Sequence, residues 1–88
     1  MPGIARVGTD AAGGTLLTGG NGSVYVNGAL IEVLHGPVQP HGSGLHANPH
    51  MAQASGTVFA SGIAVCRAGD QADCGHPSSG SGDTFAGG

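Results

Sequence analysis

Charge and aromatic rings are the scarcest features of this chain. Only 8% of its 88 residues are charged, with a net charge of −3, where a soluble domain ordinarily has roughly 25% charged residues. That balance provides no basic footprint for nucleic acid. Tryptophan is absent and the aromatics are Tyr25, Phe59 and Phe85, so a core built around large rings is excluded. No run of 18 apolar residues exists to cross a membrane as a helix. The N-terminal MPGIARVG has neither a basic region leading into an apolar stretch nor a cleavage site, and no signal peptide is expected. Two cysteines, Cys66 and Cys74, are compatible with one disulfide or two thiols and do not fix the compartment. The length suits one domain, residues 1–88.

What the chain does have is glycine, 19 of them, between short runs of β-branched residues, which reads as a small β domain rather than a disordered segment. Those runs repeat. GSVYVNGALIEVLHG from Gly22 aligns with GTVFASGIAVCRAGD from Gly56, pairing Tyr25 with Phe59 and Gly28 with Gly62. A third copy, GDTFAGG from Gly82, holds only the first half of a unit, and Ile4 to Gly8 supplies the missing half, with Arg6 on Arg67. A chain of half-unit, unit, unit and half-unit closes into a body of threefold pseudo-symmetry when its termini pair.

Each unit reads as a β-hairpin. Asn27-Gly28 and Ser61-Gly62 suit type I′ turns, which need positive φ at both central positions. The expected pairings are 22–27 with 28–34, 56–61 with 62–68, and 82–87 with 3–8. Hairpins this short must share a core, with Val24, Val26, Val58 and Phe59 as its candidates.

Imidazole is the other enriched group. His35, His41, His46 and His50 fall within sixteen residues, and His76 lies two beyond Cys74. The segment from His35 to Met51 is interrupted by Pro and Gly and reads as a loop. His41 and His46 straddle a Ser-Gly turn, and Cys74 and His76 would share one side of an extended segment. Three imidazoles and a thiolate suit tetrahedral Zn²⁺, with iron a poorer match. The candidate ligands are His41, His46, Cys74 and His76, with His50 as the alternative fourth. His35 replaces the turn glycine equivalent to Gly8 and Gly69, and Cys66 reads as a packed side chain. Arg6 and Arg67 read as solvated charges at hairpin edges.

An enzyme is not expected. Asp73 is the only carboxylate near Cys74, and no Glu or Asp stands among the histidines to act as general acid or base. The glycine-rich stretches do not join a strand to a helix as phosphate loops do.

Taken in order, MPGIARVG, the paired GGNGSVYVNG and QASGTVFASG, then CRAGD, DCGHP and the final SGSGDTFAGG resemble a PAAR-repeat protein over essentially the whole chain. The resemblance implies a small cone of β-hairpins that caps the trimeric β-helical spike of a contractile phage tail or type VI secretion system, one copy per trimer. Its apex would hold zinc through His41, His46, Cys74 and His76. It further implies a structural role in piercing the target envelope, with transient membrane contact, no nucleic acid and no small-molecule substrate. The protein would reside at a virion tail tip, or in the cytoplasm before leaving on a secreted spike. An adaptor that recruits a toxic effector noncovalently, or a free-standing metal-binding β module, are the other readings. Two departures stand out. The Gly-Asp that often ends the family's repeat survives only at Gly69-Asp70, and the early loop Ala11-Ala12-Gly13-Gly14 lacks the histidine many members carry.

Overall fold

Ser61 and Gly62 both take positive φ, 53° and 78°, the combination a type I′ turn requires. They join β3 (Phe59–Ala60) to β4 (Ile63–Ala64) in an antiparallel hairpin, and β1 (Tyr25–Val26) pairs with β2 (Ala29–Leu30) in the same register. These elements come from a computed structural model that describes residues 2–26 and 28–86. The first residue of the Asn27-Gly28 turn and the end of the expected 82–87 strand lie outside them. Gly28 itself has φ 82°.

The chain ends also meet. Gly3 bridges antiparallel to Phe85, the Ile4 N–H donates to the Thr84 carbonyl at 2.8 Å, and the Ala86 N–H donates to that of Pro2 at 3.0 Å. The regular strands are far shorter than the sequence suggests, because each segment soon leaves its hairpin partner for a different neighbour. Ile4 bridges Arg67, Arg6 bridges Ile31, and Val33 bridges Val65. At the centre three hydrogen bonds close a ring: Ala5 N–H to the Cys66 carbonyl (2.9 Å), Cys66 N–H to that of Glu32 (2.9 Å), and Glu32 N–H to that of Ala5 (3.0 Å).

Alternation along these extended segments sends neighbouring side chains to opposite sides of the ring. Ile4, Ile31, Val33 and Val65 join Val26, Ala60 and Ala86 in one apolar cluster, while Ala5 and Cys66 join Ala12, Leu16, Val38, Met51 and Ala72 in another. Two expected core residues are not in it. Phe59 is 57% exposed and Val24 37%. In each hairpin it is Val26 or Ala60 that faces inward, so the strand alternation turns Tyr25 and Phe59 outward, and Val24 sits at the rim.

Three buried polar side chains organise the starts of the two hairpins and of the 82–86 segment by accepting backbone hydrogen bonds. Asn21 Oδ1 accepts the N–H groups of Ser23 and Val24 at 3.2 and 3.0 Å. Ser55 Oγ accepts those of Thr57 and Val58 at 3.1 and 3.0 Å, and Ser81 Oγ those of Asp83 and Thr84 at 3.2 and 3.1 Å. Each is an Asx- or Ser-turn that satisfies two backbone donors at once. Asn21 does more: its Nδ2 donates to the carbonyls of Val24 (2.8 Å) and Ile31 (3.0 Å).

Arg6 and Arg67 are not the solvated edge charges expected. The Arg67 guanidinium grips Asp70 through Nε (2.9 Å) and Nη2 (3.0 Å), and Arg6 grips Asp10 through Nε (2.7 Å) and Nη2 (3.2 Å). Burial opposes ionisation of Asp10, but hydrogen bonds from Arg6 and Ser79 outweigh it and hold the carboxyl below the usual carboxylate range. Asp10 therefore takes the part that Asp70 plays in the other turn, one residue later in its own. Among the described residues there is no α-helix, and the 35–51 loop contains a single 3₁₀ turn at Gly44–His46.

Removing one capping hydroxyl leaves two N–H groups without their partner. Ser55→Ala and Ser81→Ala are each expected to lower unfolding free energy by about 1 kcal/mol, and Asn21→Ala by about 2 kcal/mol. Urea titration of the three variants beside the parent protein checks the ranking.

Candidate metal centre

Three antiparallel excursions rise from the ring on the side opposite the hairpins. The first, within 10–16, is closed by the Ala11–Thr15 bridge, the second by Pro37–His50 and the third by Gln71–Pro77. They are tied in a circle: Gln39 N–H donates to the Thr15 carbonyl (2.8 Å), Asp73 N–H to that of His50 (2.8 Å), and Ser79 N–H to that of Ala11 (3.0 Å).

The second excursion supplies two imidazoles. The Gly44–His46 turn folds the chain back so that His41 N–H donates to the His46 carbonyl at 3.0 Å, which sets both rings side by side. The third supplies Cys74 and His76, but not by extension. Gly75 has φ 92°, its N–H donates to the Ala72 carbonyl, and Ala72 N–H in turn donates to that of His76. A tight turn, not strand alternation, brings the thiol and the imidazole to one side.

The ligand atoms of His41, His46, Cys74 and His76 all lie within 4.8 Å of one another, on half-buried side chains. His41 Nε2 is 2.9 Å from His76 Nδ1 and 3.1 Å from His46 Nδ1, while Cys74 Sγ is 3.6 Å from His41 Nε2 and 3.7 Å from His76 Nδ1. A tetrahedral ion with metal–nitrogen bonds of about 2.0–2.1 Å and metal–sulfur bonds of about 2.3 Å has nitrogen–nitrogen edges of about 3.3 Å and nitrogen–sulfur edges of about 3.6 Å. The two nitrogen–sulfur distances agree with those edges, and the two nitrogen–nitrogen distances are slightly shorter than theirs. The three rings stand nearly equidistant, with centroids 4.9, 4.9 and 5.0 Å apart, and the sulfur lies beside the His41 and His76 nitrogens.

One orientation is fixed by an outer contact. His41 Nδ1 lies 3.0 Å from the Gln39 carbonyl, which can only accept, so Nδ1 carries the proton and the Nε2 lone pair faces the cluster. Three ring nitrogens and a sulfur converging without intervening polar groups is an arrangement that a cation relieves, and the donor set fits a bound metal ion. His50 stands outside it: its Nδ1 faces the Asn48 carbonyl at 3.1 Å, and its backbone N–H meets Asp73 Oδ1 at 3.2 Å. His35, with φ 67°, occupies the left-handed turn position expected of it. Cys66 is fully buried, donates to the Gln53 carbonyl at 3.5 Å, and has its thiol pushed up to about 12 by burial first and then by Glu32 and Asp70. It is a packed, inert thiol.

Gly13 belongs to the site although it offers no donor. A Cβ at this residue would lie 2.0 Å from His76 Nδ1 and 2.7 Å from His41 Nε2. The first excursion thus lies against two ligand nitrogens with bare backbone, and the Gly13-Gly14 pair was the sequence signal for it. A concavity of about 490 Å³ between Leu34, Ala54, Ala64 and Arg67 contains none of the four donors.

Cys74→Ser and His46→Ala are each expected to reduce metal content from one ion per chain and to lower Tm by at least about 10 °C, as loss of a few kcal/mol does in a domain this small. Elemental analysis paired with calorimetry reads both. Gly13→Ala, which removes no donor, is expected to weaken metal retention against a competing chelator at least tenfold.

Alkylation by iodoacetamide separates the two thiols. Metal-free protein is expected to be modified at Cys74 and not at Cys66, and the metal-loaded protein at neither, as peptide mass mapping would show.

No family model matches the chain, and no curated protein matches it.

Proposed function

We propose that this protein is the structural tip of a contractile injection apparatus, seated one copy per trimer on the blunt end of a β-helical spike. The observation that carries the reading is the set of Tyr25, Phe59 and Phe85. They occupy the same place in three successive copies of the repeat, and they are 59%, 57% and 47% exposed. In a chain with three aromatic residues in all, leaving each one in solvent is costly unless something covers it. Three matched apolar positions on one chain suit a partner that is itself threefold. The register supports this, since Tyr25 opposes Leu30, Phe59 opposes Ala64 and Phe85 opposes Gly3. So do the two closed circles of hydrogen bonds, which are what a body of three β-hairpin units around an axis requires.

The resemblance to PAAR-repeat proteins gives the partner its identity, and the body's dimensions, 32 Å by 22 Å by 22 Å, suit a cone with its axis along the long dimension. In this reading the His/Cys group marks the apex and the ion is Zn²⁺, for which a closed set of three imidazoles and one thiolate is characteristic. When bound, it would cross-link the second and third excursions beyond their shared apolar cluster. With every coordination position filled from the protein, it serves strength and not catalysis. The residues do the remainder: the hairpin edges offer backbone pairing to the spike's strand ends, and the narrow end meets the envelope first as the sheath drives it forward.

Mixing the protein with a trimeric β-helical spike protein is expected to give a complex of one copy per three spike chains in native mass spectrometry. The triple variant Tyr25→Ser, Phe59→Ser, Phe85→Ser keeps its metal and loses at least a hundredfold in affinity, since each buried aromatic anchor contributes about 1–2 kcal/mol. A one-to-one complex, or binding that ignores the aromatic substitutions, would sink the cap reading.

A further inference from the structure

The three turns that follow the central ring solve one problem in two ways. At 67–70 the Asp70 N–H donates to the Arg67 carbonyl (3.0 Å) while Asp70 Oδ2 accepts the Arg67 N–H (2.8 Å). At 6–10 Asp10 repeats both contacts with Arg6, at 3.0 and 2.9 Å. At 33–36 the backbone bond persists, Gly36 N–H to the Val33 carbonyl at 2.9 Å, but Gly36 has no carboxylate to offer. The Val33 N–H is met from the opposite direction, by Glu32 Oε1 at 3.1 Å. A Cβ on Gly36 would lie 2.0 Å from that oxygen and 2.5 Å from the carboxyl carbon. Glu32 therefore fills the space of the absent aspartate.

What it lacks is the guanidinium. Arg67 and Arg6 neutralise the other two carboxylates, whereas Val33 stands in their place in the third turn. Glu32 is fully buried, and its Oε2 has no hydrogen-bond partner among the described residues. An unpaired carboxylate charge in that setting costs several kcal/mol. We infer that Glu32 stands in the folded protein as a neutral carboxylic acid that braces the third turn, so that folding takes up one proton and the stability of this tip depends on pH.

The surroundings offer no compensation. Segment 4–7 presents Ala5 in the central ring, and Gly19 and Gly36 approach the carboxyl as backbone. From segment 65–67 the titratable neighbour is the Cys66 thiol, itself pushed up to about 12 and so neutral throughout the relevant range; Asp70 and Arg67, which act on that thiol, are paired to each other. Burial pushes the Glu32 carboxyl up to about 8 from an ordinary 4.5, opposed by the Val33 N–H. A raised value in the fold means stability that is whole below about 4.5 and is lost as pH rises toward 8. The folding constant falls about tenfold per pH unit across that window and then levels off. The turn leads directly into the 37–50 loop, with His35 N–H donating to the Met51 carbonyl and Met51 N–H to that of Gly36.

Glu32 is the chain's only glutamate, which makes the test direct. Protein labelled with ¹³C at the glutamate carboxyl gives a single resonance, expected at the protonated position at pH 6 and with a titration midpoint near 8. In parallel, urea midpoints between pH 5.5 and 9 are compared for the parent and Glu32→Gln, each metal-loaded, so that histidine contributions cancel in the difference. The parent should lose stability relative to Glu32→Gln as pH rises to 8. A carboxyl midpoint near 4, or parallel pH profiles for the two proteins, overturns the inference. Should Glu32→Gln fail to fold, the carboxyl titration of the parent decides alone.

Discussion

The structure depends on a ring of three backbone hydrogen bonds joining Ala5, Glu32 and Cys66. Each residue gives its N–H to one neighbour and its carbonyl to the other, so none can be moved without opening two bonds. The ring holds together three stretches far apart in the chain, and it sets where every other contact falls. Side chains on one side of it pack into the hairpin cluster and those on the other into the loop cluster. It also limits what can stand at the three positions, because their side chains crowd toward one centre. Alanine and cysteine fit there as small apolar groups, and glutamate fits because its carboxyl turns away to the Val33 N–H.

Much of this was legible in the sequence, for a reason that concerns the kind of chemistry involved. Turns with positive φ have few residue choices, so Ser61-Gly62 and the repeat that contains it stand out. The group that could hold a metal was visible too, since few residue types bind metals and His41, His46, Cys74 and His76 are concentrated in a chain poor in other functional groups. The concealed features are those in which different residues do the same work. Asn21, Ser55 and Ser81 are the same turn built from two side-chain types. Asp10 is displaced by one residue because its turn is longer, and Glu32 performs an aspartate's task from the preceding side of the turn. Alignment compares letters at matched positions; a hydrogen bond asks only that an oxygen arrive.

The convergence of Cys74 and His76 illustrates the same limit from the other direction. Alternation in an extended segment places both on one side, and so does the turn at Gly75, by unrelated geometry. The pair was identifiable from its residue types, while the backbone that brings it together depends on the bonds between Ala72, Gly75 and His76. Exposure of Phe59 is a related case. Its size marks it for a core by composition, but the strand register gives the inward place to Ala60.

Two excursions carry the four candidate donors and the first carries none of them, as four-coordinate geometry would ask. A tetrahedral ion would take four ligands, and the second and third excursions offer two candidate donors each. With those four bound, a donor on the first would have no vacant corner to fill. That excursion still has to pass beside the site, because Ser79 ties it to the third and Gln39 to the second. At Gly13 a Cβ would fall 2.0 Å from His76 Nδ1, so only a residue without one passes there. Glycine at this place thus lets the loop close the ring of excursions around the candidate site while offering it no donor.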